Sequence, residues 1–443
     1  MKNTNILKFS ELGISGSILN VLQNLKLETP TPIQHQAIPV ALTGQDLIGI
    51  AQTGTGKTLA FGIPILQRLA LEKGQGLVVV PTRELAIQVT ESLKKLGQTF
   101  GLRLATLIGG EAIDRQLFLL RKKPHIIVAT PGRLIDHLKR KTVKLDQVKI
   151  LVLDEADMML DLGFAPQIEE ILKQLPKERQ TMLFSATMPA SIAKLAAKYL
   201  KLPISIEVSP QGTTVEKVEQ EIFIVSSSER FTYLEKIIKD HTGSILVFVR
   251  TKHSVKELTK KLISLGHLAT EIHSNLSLSR RRTALDSFKS GKARILVATD
   301  VAARGLDVNG IELVVNYNLP DASADYVHRI GRTGRAGKIG KAISLATPDQ
   351  LRDIKDIERL INKTLLKREY AKSDYSSARP QSRSFSNKRQ NDRQTTGKRQ
   401  TRPYTSSTAA KSTSHPSQHS RPTNPKPGNR SRHRFFNGRR LQA

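Results

Sequence analysis

Two segments in the first half of the chain and one in the second carry residue types suited to phosphate chemistry. The loop AQTGTGKT, residues 51–58, follows the apolar run DLIGIA and precedes a helical stretch. In it, Gly54 and Gly56 let backbone N–H groups approach phosphate oxygens, and the helix N-terminus adds a favourable dipole. Ala51, Gln52, Thr53 and Thr55 complete the loop, Lys57 suits the β and γ phosphates, and the Thr58 hydroxyl suits Mg2+. The run ILVLDEAD, residues 150–157, ends four apolar residues in carboxylates. Asp154 and Glu155 therefore emerge at a strand's C-terminal end, the edge where ligands collect in open α/β sheets. Asp154 is suited to a Mg2+ shell, and Glu155 to positioning and deprotonating a water. Far downstream, HRIGRTGRAG at residues 328–337 spaces Arg332 and Arg335 to reach a phosphate. The alternative for the loop is a glycine-rich turn, which the strand before it and the Lys-Thr after its glycines argue against; the acids taken alone read as solvated charge after a strand. If all three segments serve one nucleotide, the site is complete only when two domains close on each other.

The elements that must position these residues follow a repeated grammar. In the first region DLIGIA, GLVVVPT, RLATLIGG, HIIVATP, KILVLDEAD, TMLFSAT and PISIEV read as strands, with helices such as 84–97 and 190–200 between them. Near-continuous Val, Ile and Leu runs mark parallel strands buried on both faces. From about residue 218 the pattern returns in EQEIFIVS, SILVFVR, HLATEIHS, ARILVATD, LVVNYN and KAISLAT. This alternation argues for an α/β fold of two doubly wound parallel-sheet domains. The expected division is 1–207 for the first domain, 208–217 for a linker, 218–369 for the second domain and 370–443 for a tail.

Composition bounds the partners. At 443 residues the chain suits two cores plus extras, and its net charge of +31 points to a polyanion, most often nucleic acid. Residues 371–443 hold 17 Lys or Arg against two acids, a net of +15, among Ser, Thr, Gln, Asn and Pro, and are expected to be disordered. The folded part is itself basic, since +31 minus +15 leaves +16. Cysteine is absent, which excludes disulfides, thiol catalysis and cysteine-ligated zinc. No apolar run approaches the roughly 20 residues of a membrane-spanning helix, and the start reads as no signal peptide.

With these motifs in order, the chain resembles the DEAD-box RNA helicases over about residues 9–365, most nearly the bacterial RhlE type. The resemblance implies two RecA-like domains and an ATP- and Mg2+-dependent RNA helicase, cytoplasmic and monomeric in its core. It implies that Gln34 in TPTPIQ reads adenine, with Phe9 at the upstream aromatic position of that nucleotide site and Asp307 on the ribose. Arg83 in PTREL, Gly110 beside Gly109, Thr130 and Arg133 in TPGR, and Thr299 in ATDVAARGLD are implied RNA contacts. Ser185 and Thr187 in SAT, together with His328, are implied to couple hydrolysis to strand separation. Arg332 and Arg335 are implied to be finger arginines that join Lys57 and Glu155 in catalysis. Arg329 and His328 are expected to support contacts between lobes.

Three departures from the family pattern stand out: Leu27 where an aromatic is usual, Ser274 after His273, and Leu278 where a glutamine is usual. Losing that glutamine removes one expected RNA or inter-motif contact. Expected partners are single-stranded and short duplex RNA, with ribosomal-precursor or RNA-decay proteins compatible with the family. A DNA-acting helicase and an RNA clamp or annealing chaperone remain the alternatives at this point.

Overall fold

The computed structural model describes residues 8–52, 54–208, 218–303, 310–334 and 340–369. The apolar runs form two seven-stranded sheets in which every pairing is parallel. The first sheet contains β1 (Leu47–Ile50), β2 (Gln75–Val79), β3 (Leu104–Leu107), β4 (Ile126–Ala129), β5 (Val148–Leu153), β6 (Gln180–Ser185) and β7 (Ile204–Glu207). The second contains β8 (Val218–Ile224), β9 (Ile245–Phe248), β10 (Ala269–Ile272), β11 (Ile295–Ala298), β12 (Leu313–Asn316), β13 (Gly340–Ala346) and β14 (Leu366–Glu369). Their orders are β3-β4-β2-β5-β6-β1-β7 and β10-β11-β9-β12-β13-β8-β14. Subtracting seven from each number in the second order reproduces the first, so one topology is used twice. Both sheets belong to one compact unit; they are called the first and second lobes below.

Period-two alternation explains why the central strands read as unbroken apolar runs. Val78 of β2 and Val80 just after it pack on one face of the first sheet, while Leu77 and Val79 pack on the other. The second sheet repeats this, with Leu246 and Phe248 on one face and Ile245 and Val247 on the other. Helices cover both faces, and each fully buried Leu, Ile, Val or Phe contributes about 1.5–3 kcal/mol. Gly49 of β1 lies opposite Phe184, and a Cβ there would sit 2.6 Å from that ring. The missing side chain lets Phe184 meet Phe61 at a centroid separation of 5.5 Å.

The expected helices appear as Arg83–Leu96 and Ala190–Tyr199. Threonine fixes where the first of these starts, because Thr82 accepts from Leu85 N. Of the strands, β14 was not expected from the sequence. LKRE carries little apolar signal, which suits an edge strand that pairs only with β8. Its Arg368 reaches Glu221 at 2.9 Å. The expected linker apart from Val208, and the basic tail, lie outside the described residues. Among the described residues no helix is long and apolar enough to cross a membrane.

Apart from Phe9 and TPTPIQ, which precede β1, the segments singled out for chemistry in the first lobe stand at or just after the C-terminal ends of strands. The β3, β4 and β2 side of that edge carries Gly109–Gly110, TPGR and PTREL; the β5, β6 and β1 side carries DEAD, SAT and the phosphate loop. The strand order thus separates two kinds of segment along one edge.

Candidate active site

On the β5-β6-β1 side the phosphate loop is held from outside as well as by its own glycines. Gly54 and Gly56 take φ of 89° and 91°, the left-handed region that disfavours a side chain. A Cβ on Gly56 would lie 2.2 Å from Gln34 Nε2. Gln34, 2% exposed, stands at the third position of the helix Pro32–Leu42. Its Oε1 accepts from Thr31 N at 2.9 Å, and its Nε2 donates to Gly56 O at 3.0 Å. The amide expected to read adenine therefore braces the loop, with one N–H and one lone pair remaining. Phe9 sits in the apolar core of the first lobe, 4% exposed, which makes it a supporting side chain.

Lys57 is buried, and its Nζ donates to Ala51 O at 2.8 Å, spanning the base of the loop. Asp154 lies at the end of β5, 2% exposed, and burial pushes its carboxyl up to about 7. Lys57 opposes that rise and the neighbouring Glu155 adds to it. Glu155 has φ and ψ of 51°, a left-handed conformation uncommon for a residue with a side chain. It turns the chain sharply from β5 into the helix Ala156–Asp161. Such local strain clusters at functional sites. A buried carboxylate in this state and the Thr58 hydroxyl are hard oxygen donors of the kind Mg2+ takes.

Asp157, the last acid of the DEAD run, was not among the expected site residues. Its Oδ2 accepts from Ala186 N at 3.0 Å, from Thr187 N at 2.8 Å and from Thr187 Oγ1 at 2.9 Å. Its N–H donates to Ser185 Oγ at 3.3 Å. This ties the DEAD and SAT segments together through one side chain. Burial alone would raise the Asp157 carboxyl, but the charges of His328 and Lys57 and its hydrogen bonds hold it below the usual range. His328 belongs to the helix Ser323–Ile330 of the second lobe, so its charge acts on the DEAD segment from across the lobes.

Arg329 behaves differently from expectation. Its guanidinium is 2% exposed, grips Asp300 through Nη2 at 2.7 Å and donates to Asn318 O at 2.6 Å. All of these partners lie in the second lobe, so Arg329 supports that lobe internally. Arg332, 3% exposed, donates from Nε to His328 O at 3.3 Å. Thr53, Asp307 and Arg335 lie outside the described residues.

On the β3-β4-β2 side two segments, PTREL and TPGR, converge on the loop that carries Gly109 and Gly110. The Arg83 guanidinium lies against Gly110, whose φ is 77°; a Cβ there would stand 2.3 Å from Arg83 Nη1. Arg133 donates from Nη1 to Glu111 O at 3.3 Å. Thr130 caps the helix Pro131–Lys139 by position, yet its side chain makes no cap bond. Thr299, at the end of β11, is buried in the second lobe. On the helix Leu278–Lys289 of the second lobe, Leu278 is 7% exposed and joins the apolar cluster of the first lobe. Arg281 of the same helix brings its Nε to 2.8 Å from Glu84 Oε1. Leu278 thus makes an apolar contact across the lobes, at the position where the resemblance implied a glutamine.

Comparison with known proteins agrees with this layout. Residues 31–195 match the family described as DEAD/DEAH box helicase, and residues 229–337 match the helicase conserved C-terminal domain. The chain is 45% identical over 354 residues to the DEAD-box ATP-dependent RNA helicase CshA of Geobacillus kaustophilus, covering 79% of this chain and 76% of that one. It is also 45% identical to the ATP-dependent RNA helicase CshA of Limosilactobacillus reuteri, covering 81% and 73% respectively. These relatives carry the name CshA, so the expected RhlE type is not supported. Among solved structures, S. cerevisiae Dbp5 bound to RNA and ADP BeF3 matches with a TM-score of 0.75 at 31% identity, over 82% of this chain and 95% of that one. Mss116p bound to ssRNA and AMP-PNP matches with a TM-score of 0.77 at 28% identity, over 84% and 81%. With both lobes, their shared topology and the ordered motifs in agreement, this chain belongs to the DEAD-box ATP-dependent RNA helicase family.

Proposed function

We infer that this protein is an RNA-dependent ATPase that locally opens short RNA duplexes by closing its two lobes on ATP and a single strand. The observation that carries this reading is that the two lobes meet, Arg281 Nε standing 2.8 Å from Glu84 Oε1, with the charge of His328 in the second lobe acting on Asp157 of the DEAD segment. This supports a nucleotide site shared between the arginine-bearing segment of one lobe and the acids of the other.

In this reading the phosphate loop and Lys57 hold the triphosphate, and Gln34 orients the base while bracing the loop. Thr58 and Asp154 hold Mg2+, which neutralises phosphate charge when bound. Glu155, fixed by its backbone turn, orients and deprotonates the attacking water. Arg332, with Arg335, supplies permanent positive charge to a γ-phosphate whose charge is redistributing. Asp157, Ser185 and Thr187 report the state of this site to the second lobe through His328. Arg83, Gly110, Thr130 and Arg133 hold sugar and phosphate on the other half of the sheet edge, with Thr299 contributing from the second lobe. Backbone contacts hold a strand without reading its sequence, and 2′-hydroxyl contacts favour RNA over DNA. ATP and RNA both favour the closed state, so each strengthens binding of the other.

The test is ATPase turnover with RNA or DNA of one length, beside a Glu155→Gln variant. RNA-specific stimulation that disappears in the variant supports the reading. Equal stimulation by DNA, or strand annealing as the sole activity, overturns it.

A further inference from the structure

Four residues of the first lobe form a buried polar chain that no nucleotide or RNA contact above requires. His137, in the last turn of the helix Pro131–Lys139, and Gln116, in the helix Ile113–Arg121, are both 0% exposed. Gln116 Nε2 donates to Ile108 O at 2.9 Å, and Ile108 immediately precedes Gly109 and Gly110. The amide oxygen of Gln116 then faces His137 Nε2 at 3.2 Å. That contact requires the imidazole to carry its proton on Nε2, leaving Nδ1 to face Thr142 Oγ1 at 2.8 Å, a hydroxyl whose single proton is shared with His137 O at 3.1 Å. Burial and the nearby Arg133 hold the imidazole's pKa below its usual value, which keeps this neutral tautomer. Thr142 follows the C-terminal end of the TPGR helix, so the chain anchors that helix at its far end.

The loop at Ile108–Glu111 is thereby gripped from three sides. Arg83 packs on Gly110, Arg133 holds Glu111 O, and Gln116 holds Ile108 O. The first two grips come from side chains that face the strand-binding edge. The third comes from the interior, where water cannot replace a lost partner, and an unpaired buried carbonyl or amide is costly. A polar network held in a core can specify a geometry, and here each of its side-chain polar groups has a partner within hydrogen-bond reach.

We propose that Gln116 and His137 are positioning residues that set the spacing between the Gly109–Gly110 loop and the TPGR helix, and so tune RNA affinity without touching RNA or nucleotide. This rests on the reading of Arg83, Gly110, Thr130 and Arg133 as RNA contacts. Gln116→Met keeps the volume but removes both hydrogen bonds. His137→Phe removes the donor to Gln116, whereas His137→Gln can restore an N–H at the same reach.

The experiment uses the full chain, with an oligouridylate strand as RNA and a fluorescent ADP analogue as nucleotide probe. Expected is a rise of roughly 5- to 30-fold in the RNA concentration that half-saturates ATPase for Gln116→Met and His137→Phe, the effect of about one lost buried hydrogen bond. ADP-analogue affinity and turnover at saturating RNA stay within about twofold, and His137→Gln returns the RNA half-saturation to near wild type. An RNA half-saturation unchanged in Gln116→Met, or loss shared equally by RNA and nucleotide binding in His137→Gln, overturns the proposal. If the two severe variants melt below assay temperature, His137→Gln decides, because a folded variant that binds RNA several-fold more weakly also overturns it. Wild-type ATPase that ignores RNA would instead sink the functional reading itself.

Discussion

Replacing Arg281 by methionine removes a cation that is 8% exposed and lies 2.8 Å from Glu84 Oε1. The partners come from different lobes, so the cost falls on the closed arrangement rather than on the folding of either lobe. Breaking one side of a buried pair typically costs 3–5 kcal/mol, because the remaining charge stays desolvated. The low end applies here: the two atoms approach closely but meet outside hydrogen-bond alignment. Leu278, one turn earlier on the same helix, still buries itself on the first lobe. A penalty of about 3 kcal/mol shifts closure by about 150-fold. Titrating oligouridylate into the ATPase reaction should therefore show RNA half-saturation raised by one to two orders of magnitude in Arg281→Met. Adding Glu84→Gln removes the stranded charge, and the double variant should recover to within about tenfold of wild type. A rise below threefold in Arg281→Met, or a double variant as weak as the sum of its singles, refutes the pair as a closure contact.

Other perturbations separate the two halves of the sheet edge. Glu155→Gln should lower turnover by roughly 10²-fold or more while ATP and RNA still bind, measured by single-turnover hydrolysis beside equilibrium binding. Gly110→Ala imposes a side chain at φ 77° and 2.3 Å from Arg83 Nη1, so it should weaken RNA binding by about tenfold and spare nucleotide affinity. Because the folded carboxyl of Asp154 titrates near 7, above its unfolded value, the folded state binds the extra proton between these values. Its contribution to stability is therefore greatest at low pH, is lost as pH rises toward 7, and stays lost above that. Thermal melting of the nucleotide-free protein should accordingly show Asp154→Asn gaining on wild type from pH 5 to pH 8; a gap independent of pH would contradict the assignment. Deleting residues 371–443, with their net charge of +15, should weaken RNA binding and flatten its salt dependence, read by titration at two salt concentrations.

Much of the fold was legible because buried parallel strands have to be apolar on both faces. ILVL before the DEAD acids and ILVA before Thr299 could hardly be anything else. β14 was hidden for the opposite reason, since an edge strand facing solvent keeps charges such as Lys367 and Arg368 and loses the apolar signature. The phosphate loop and Asp154 were legible because glycine spacing and a strand end fix backbone position locally. Asp157 was not, because three acids in one run look alike until β6 brings Ala186 and Thr187 to only one of them. Contacts between helices distant in sequence also conceal Glu84 with Arg281 across the lobes and Gln116 with His137 within one, since neither pair shares a local pattern. Arg329 was misread for a related cause: in an arginine-rich run, only its pairing with Asp300 marks that guanidinium as a support internal to the second lobe.

The central claim is that the second lobe finishes a nucleotide site begun by the first. Single-turnover hydrolysis by Arg332→Lys at saturating ATP and RNA tests it most directly, because the charge stays while the planar guanidinium goes. The expected result is a rate lower by roughly 10³-fold with ATP and RNA still bound. A rate equal to that of the unaltered chain would contradict the account.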